Sequence, residues 1–142
     1  MVSIVDRVRP GGARLFHAAV LAGALTLFVA ALLADYAYWT SYQIQWNNFA
    51  SWLIVGALFF GAIALLCAII DLFRADRRSG RSLLYTGVLL ATWVLGFINA
   101  LVHAKDAWAI MPTALVLSVI VAVLACAATW LGFSTLRAGG AR

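Results

Sequence analysis

Residues Gly96–Thr113 read GFINALVHAKDAWAIMPT, and this stretch decides how the chain folds. It opens inside an apolar run, passes Asn99, His103, Lys105, Asp106 and Trp108, and reaches Pro112, after which a second apolar run begins. Proline suits the first turn of a helix, where its missing N–H would have no intrahelical partner anyway. Two apolar helices joined by a short polar turn form a hairpin. Polar groups beside lipid are costly unless they are partnered or used, so the rest of the chain is expected to act as scaffold for this rim.

Working outward from the hairpin, apolar helices are expected at about 15–34, 49–72, 83–104 and 113–136. A hydrocarbon core of ~30 Å needs roughly 20 helical residues at ~1.5 Å each. Each run therefore spans a bilayer, and the second, at about 36 Å, is long enough to tilt. Four spans with three short connections define an all-α membrane protein: a four-transmembrane-helix, antiparallel up-down-up-down bundle. The transmembrane domain occupies 15–136, between a basic lead at 1–14 and a short tail at 137–142.

Composition agrees. The chain is 65% hydrophobic and 11% charged, with mean hydropathy +1.01, against roughly 45–50% and about 25% in an ordinary soluble domain. At 142 residues it has room for one domain. The first run, Leu15–Ala34, is longer than the h-region of about 7–15 residues found in a secretory signal. Leu32 also stands where a small residue would precede the cleavage site, so this run is expected to remain as a helix.

The net charge of +5 might invite a nucleic-acid reading, but its distribution excludes it. Arg7, Arg9, Arg14, Arg74, Arg77, Arg78, Arg81, Arg137 and Arg142 all fall on one side of the expected bundle, and only Lys105 falls on the other. This is the positive-inside asymmetry of a multi-pass membrane protein with both termini cytoplasmic. The partner it implies is the lipid bilayer, including anionic headgroups. Asp71 is expected to pair with Arg74 or Arg78 at the end of the second helix.

On the opposite, outer side, which in a Gram-negative cell is the periplasm, residues 35–48 read DYAYWTSYQIQWNN and are expected to form an outer loop. Tyrosine and tryptophan at this density belong at the membrane–water interface, with the ring in lipid and the polar tip in water. Asn99, His103 and Asp106 follow i, i+4, i+7 and share one face if the third helix runs that far. The candidate binding rim comprises Asp35, Tyr36, Tyr42, Asn48, Asn99, His103, Asp106 and Trp108, with His103 as its titratable centre. Asn47 and Trp52 reach the same layer. The rim reads either as a small pocket or docking surface, or as a cap in which Asn99, His103 and Asp106 satisfy one another.

Catalysis and metal binding find little support. The chain has no glutamate, no HExxH, no serine–histidine–aspartate order to build on and no phosphate-cradling glycine loop. A single histidine with Asp35 and Asp106 lacks a specific ligand spacing, so neither a catalytic nor a metal residue is assigned. Bis-histidine haem fails on geometry: His17 and His103 differ in depth by roughly 25 Å at ~1.5 Å per residue. Cys67 and Cys126 read as small buried hydrophobes. Trp93, Ser118 and Thr129 are expected in interhelical packing and hydrogen bonds, and small residues four apart (Ala18/Ala22, Ala57/Gly61, Ala64/Ala68, Gly87/Ala91, Ala128/Gly132) in close helix contacts. The same small residues would also suit a homo-oligomer.

The run NALVHAKDAW, followed by MPTALVLSVIVAVL and TWLGF, resembles a bacterial four-helix membrane protein family of unknown function, domain of unknown function 2231. The positions that carry the likeness are Asn99, His103, Asp106, Trp108, Pro112, Thr113, Leu115, Leu117, Ser118, Trp130 and Gly132, with Phe16, His17 and Asp35 in the first helix. The chain departs from the family pattern at Lys105, where an arginine is usual, at Ala114, where a glycine is, and at Ala18, where a proline often follows the histidine. It also lacks an extended Gly/Tyr/Arg/His tail. Such domains occur beside periplasmic sugar dehydrogenases, so the resemblance implies an accessory membrane subunit.

Together these observations lead to a non-enzymatic accessory or scaffold subunit whose outer rim around His103 docks a periplasmic or membrane protein. Two other readings stay open: a redox subunit holding haem or quinone at that rim for a periplasmic dehydrogenase, and a small transporter. The residues assign no cofactor.

Overall fold

The computed structural model describes residues 4–74 and 78–140, with side chains placed for 11–74 and 78–138. Asp76, Arg77 and Arg142, and the side chains of Arg7 and Arg9, lie outside the described residues. Four helices follow one another: α1 (Ile4–Ser41), α2 (Ile44–Phe73), α3 (Gly80–His103) and α4 (Thr113–Gly140). A single 3-10 turn, Ala107–Ala109, sits between the last two. No strand occurs among the described residues. Each helix is long and apolar enough to cross a membrane, and together they form the expected bundle. α1 packs on α2, α2 on α3, α3 on α4 and α4 back on α1, closing a ring.

The inward positions explain why these helices pack. In α2 the buried residues are Asn47, Ala50, Ile54, Ala57, Gly61, Ala64 and Ala68, alternately three and four apart. α1 repeats the pattern at Leu21, Ala24, Phe28, Ala31, Asp35 and Tyr38. So do α3, at Tyr85, Leu89, Thr92, Gly96, Asn99 and His103, and α4, at Ala114, Ser118, Val121, Ala125, Ala128 and Gly132. A mean spacing of 3.5 residues is the seam of helices that wrap around one another at a shallow left-handed angle. In lipid there is no hydrophobic drive between helices, so small residues on these seams allow the close contact that holds them.

Glycine marks the tightest points. A Cβ at Gly96 would lie 3.0 Å from the Phe28 ring, and one at Gly132 would lie 2.6 Å from a Leu21 methyl and 3.0 Å from the Tyr85 ring. Of the expected small pairs, Ala57/Gly61, Ala64/Ala68 and Ala128/Gly132 face the core and Ala18/Ala22 are half-buried. Gly87 and Ala91 point outward. Trp93 donates its indole N–H to the Leu58 carbonyl at 3.1 Å, a tie between α3 and α2. Thr92 and Thr129 bond back to their own helices, at the Val88 and Ala125 carbonyls.

Three expectations need correction. Residues 35–48 are not a loop: α1 continues to Ser41, α2 starts at Ile44, and only Tyr42 and Gln43 connect them. The helix persists because its backbone ladder needs no lipid. Near its end the Thr40 and Ser41 hydroxyls bond back to the Tyr36 and Ala37 carbonyls, and the Tyr42 N–H meets the Tyr38 carbonyl. The basic lead is not separate either, since α1 begins at Ile4 and takes in Pro10, Gly11 and Gly12. Lastly, α3 stops at His103, so Asp106 leaves the face it was expected to share with Asn99 and His103.

Candidate functional site

The expected rim separates into an inner and an outer set. Asp35, Asn99 and His103 point into the bundle and are 0%, 1% and 6% exposed. Ser118, 2% exposed, joins them from α4. They meet because all four occupy seam positions of their helices near the same end. Ser118 lies five residues, about 8 Å, inside the start of α4, and Asn99 lies about 6 Å inside the end of α3, at ~1.5 Å per residue. A buried polar group in one helix must find its partner in another at the same depth.

They form a closed circuit. His103 Nε2 lies 2.8 Å from Asp35 Oδ1. Ser118 donates its hydroxyl proton to Asp35 Oδ2. Asn99 Nδ2 donates to Ser118 Oγ at 2.8 Å. The circuit closes where His103 Nδ1 lies 2.9 Å from the Asn99 backbone carbonyl. That carbonyl can only accept, so Nδ1 carries a proton. The pair of Asp35 and His103 therefore shares one further proton, held as imidazolium facing carboxylate or as a carboxylic acid donating to Nε2. In either form α1, α3 and α4 are bound together across the bundle axis. The side-chain Oδ1 of Asn99 is buried without a partner, as is that of Asn47.

The chemistry of this arrangement is limited by its order. The carboxylate sits between the hydroxyl and the imidazole, so Ser118 gives its proton to Asp35 and not to His103. A serine nucleophile needs the imidazole next to the hydroxyl. Both ring nitrogens of His103 are engaged, which leaves no lone pair for a haem iron or another metal. Asp106 is exposed and away from the circuit. Among the described residues no three histidine, cysteine, aspartate or glutamate side chains converge as a metal site.

The outer set is aromatic. Tyr36, Tyr42, Asn48 and Trp108 are exposed, with Trp108 78% so. Of the adjacent asparagines, Asn47 takes the inward seam position and Asn48 faces out. Tyr42 carries the turn between α1 and α2 with φ of 54°, a conformation uncommon for a residue with a side chain. It is held there on both sides. Its N–H donates to the Tyr38 carbonyl at 2.7 Å, and its ring stacks on Trp108, with centroids 6.3 Å apart and planes at 13°.

Tyr38 links the two sets. It is buried, meets the Tyr42 ring edge-on, and donates its hydroxyl to the Ala107 carbonyl at 3.0 Å. Tyr38 was absent from the rim expected from sequence. Ser118 was expected in interhelical packing and hydrogen bonds but was not placed in the rim. The signal for Ser118 lay in its depth, since counting residues from Pro112 places it level with Asn99.

The family model described as "Predicted membrane protein (DUF2231)" matches residues 14–138. No curated protein and no solved structure matches the chain. The match takes in most or all of each helix and every residue of the buried circuit, and the chain belongs to the DUF2231 family of membrane proteins.

Proposed function

We propose that this protein is a non-enzymatic accessory or scaffold subunit of the bacterial inner membrane. Its termini lie in the cytoplasm, and its periplasmic end docks a periplasmic or membrane protein through Tyr36, Tyr42, Asn48 and Trp108. The orientation rests on the basic residues, nine of ten of which fall in the sequence segments expected on the side opposite the aromatic one. The observation that carries the reading is the closed circuit of Asp35, His103, Ser118 and Asn99. Apart from Asn99 Oδ1, its polar side-chain atoms are spent within the circuit and sealed from solvent, so it serves to fix the helix ends rather than to react. What it fixes is a platform of large, exposed, stacked rings. Aromatic side chains lose little conformational freedom on binding and are enriched at interface hot spots.

A photo-crosslinking residue placed at 42 or 108, in native membranes, tests this. A discrete protein adduct is expected at both positions, absent from position 123 on the lipid-facing side of α4, and lost when His103→Ala loosens the platform. Adducts with lipid alone, or the same protein adducts at all three positions, would overturn it.

A further inference from the structure

A second polar constellation lies at the opposite end of the bundle, where α1 begins and α4 ends. A cavity of about 510 Å³ opens there between all four helices. Its wall carries three guanidinium-bearing residues, Arg14 from α1, Arg78 from the α2–α3 connection and Arg81 from α3, against one carboxylate, Asp71. Serine and threonine hydroxyls and the apolar Ala68, Leu136 and Ala138 line much of the rest, and the first turn of α3, capped by the Ser79 hydroxyl on the Ser82 N–H, forms part of the wall. Helix amino termini favour anions.

His17 adds a further polar group. Its Nε2 lies 2.7 Å from the Tyr85 hydroxyl, both residues line the cavity, and its Nδ1 is buried without a partner. A topology signal alone needs arginines only on the right side of the membrane. It does not need them gathered around one cavity.

We infer that this cavity binds a phosphate-bearing anion. The volume falls within the range of about 300–1,000 Å³ typical of small-molecule sites. It is larger than inorganic phosphate requires and leaves room for an attached organic group. Arginine favours phosphate because its planar fork meets two oxygens at once. Two sources supply that chemistry at this depth: the headgroup of an anionic phospholipid, or a soluble phosphate ester.

The full chain, purified and held in phosphatidylcholine nanodiscs, is titrated with phosphatidylglycerol and, separately, with glycerol phosphate. Binding is read by native mass spectrometry and calorimetry. Saturable retention of phosphatidylglycerol near one per chain identifies the lipid source. Saturable binding of glycerol phosphate, without preference for phosphatidylglycerol over phosphatidylcholine, identifies the soluble source. In either case Arg78→Gln with Arg81→Gln is expected to weaken binding by about tenfold or more, given the strength of single arginine contacts at a membrane surface. Thr135→Phe, which fills the cavity without altering its charge, is expected to block it. Arg137→Gln, which removes an exposed charge at the same end of the bundle but outside the cavity, is expected to change nothing. Binding of neither probe, an equal loss in Arg137→Gln, or indifference to Thr135→Phe would overturn the inference.

Discussion

Asp35 of α1 and His103 of α3 stand 68 residues apart in sequence and 2.8 Å apart in the bundle, each closed off from solvent. They join helices that are not neighbours in the ring α1–α2–α3–α4, so their bond crosses the bundle axis. Ser118 on α4 completes the tie. Three helix ends are thereby fixed at the aromatic end by side chains that have no other partner to turn to.

Ser118→Ala keeps the helix and removes one donor and one acceptor from the circuit. Asp35 then loses its second hydrogen bond and Asn99 its acceptor. A loss of about 1–3 kcal/mol is expected from leaving buried polar groups unsatisfied. Thermal melting of the detergent-solubilised protein checks it, with Ser134→Ala, whose hydroxyl bonds only within its own helix, as the reference.

Trp108→Ala removes the ring against which Tyr42 stacks. An aromatic pair of this kind contributes about 0.5–1.5 kcal/mol beyond its buried area. The left-handed backbone at Tyr42 then loses one of its restraints. Faster amide exchange at residues 40–44 is expected, with the exchange of α2 residues 57–68 unchanged.

Gly132→Val places branched bulk against Leu21 and Tyr85 and is expected to destabilise the bundle by about 1–3 kcal/mol, as overpacking does. Gly87→Val is the contrast. A Cβ there meets nothing within 4 Å, so its melting temperature should match that of the parent or rise slightly, since glycine is a poor helix former.

The orientation is open to direct labelling. In a chain whose Cys67 and Cys126 are replaced by serine, Asn48→Cys is expected to react with a membrane-impermeant maleimide added to intact cells with a permeabilised outer membrane. Ala138→Cys is expected to react only after the inner membrane is broken. The reverse pattern would invert the topology.

Much of this was legible in the sequence. Four continuous apolar runs of bilayer length read as four spanning helices, each of which satisfies its own backbone in lipid. The layer containing Asp35, Asn99 and His103 was also legible, because helix rise converts residue number into depth. Rotation about each helix axis was not. Whether Asp35 or Asp106 meets His103 depends on where α3 ends, and no glycine or proline marks that end. The stretch at 35–48 misled for a related reason. Its tyrosines, tryptophans and asparagines signal an interface, and interface is compatible with helix. The break at Tyr42 falls on a residue that seldom takes a positive φ. Asn47 and Asn48 illustrate the remaining gap: they are adjacent and chemically identical, and only the seam of α2 sends one inward and the other out.

The measurement that bears most directly on the buried circuit is a double-mutant cycle on its central pair. Asp35→Ala, His103→Ala and the double variant are compared with the parent by reversible unfolding in detergent. Each single change strands a polar partner in the core, so their effects are expected to fall well short of additive, with a coupling of about 1 kcal/mol or more. Additivity within about 0.5 kcal/mol would mean that Asp35 and His103 do not depend on one another, and the account of a circuit that fixes the aromatic platform would be wrong.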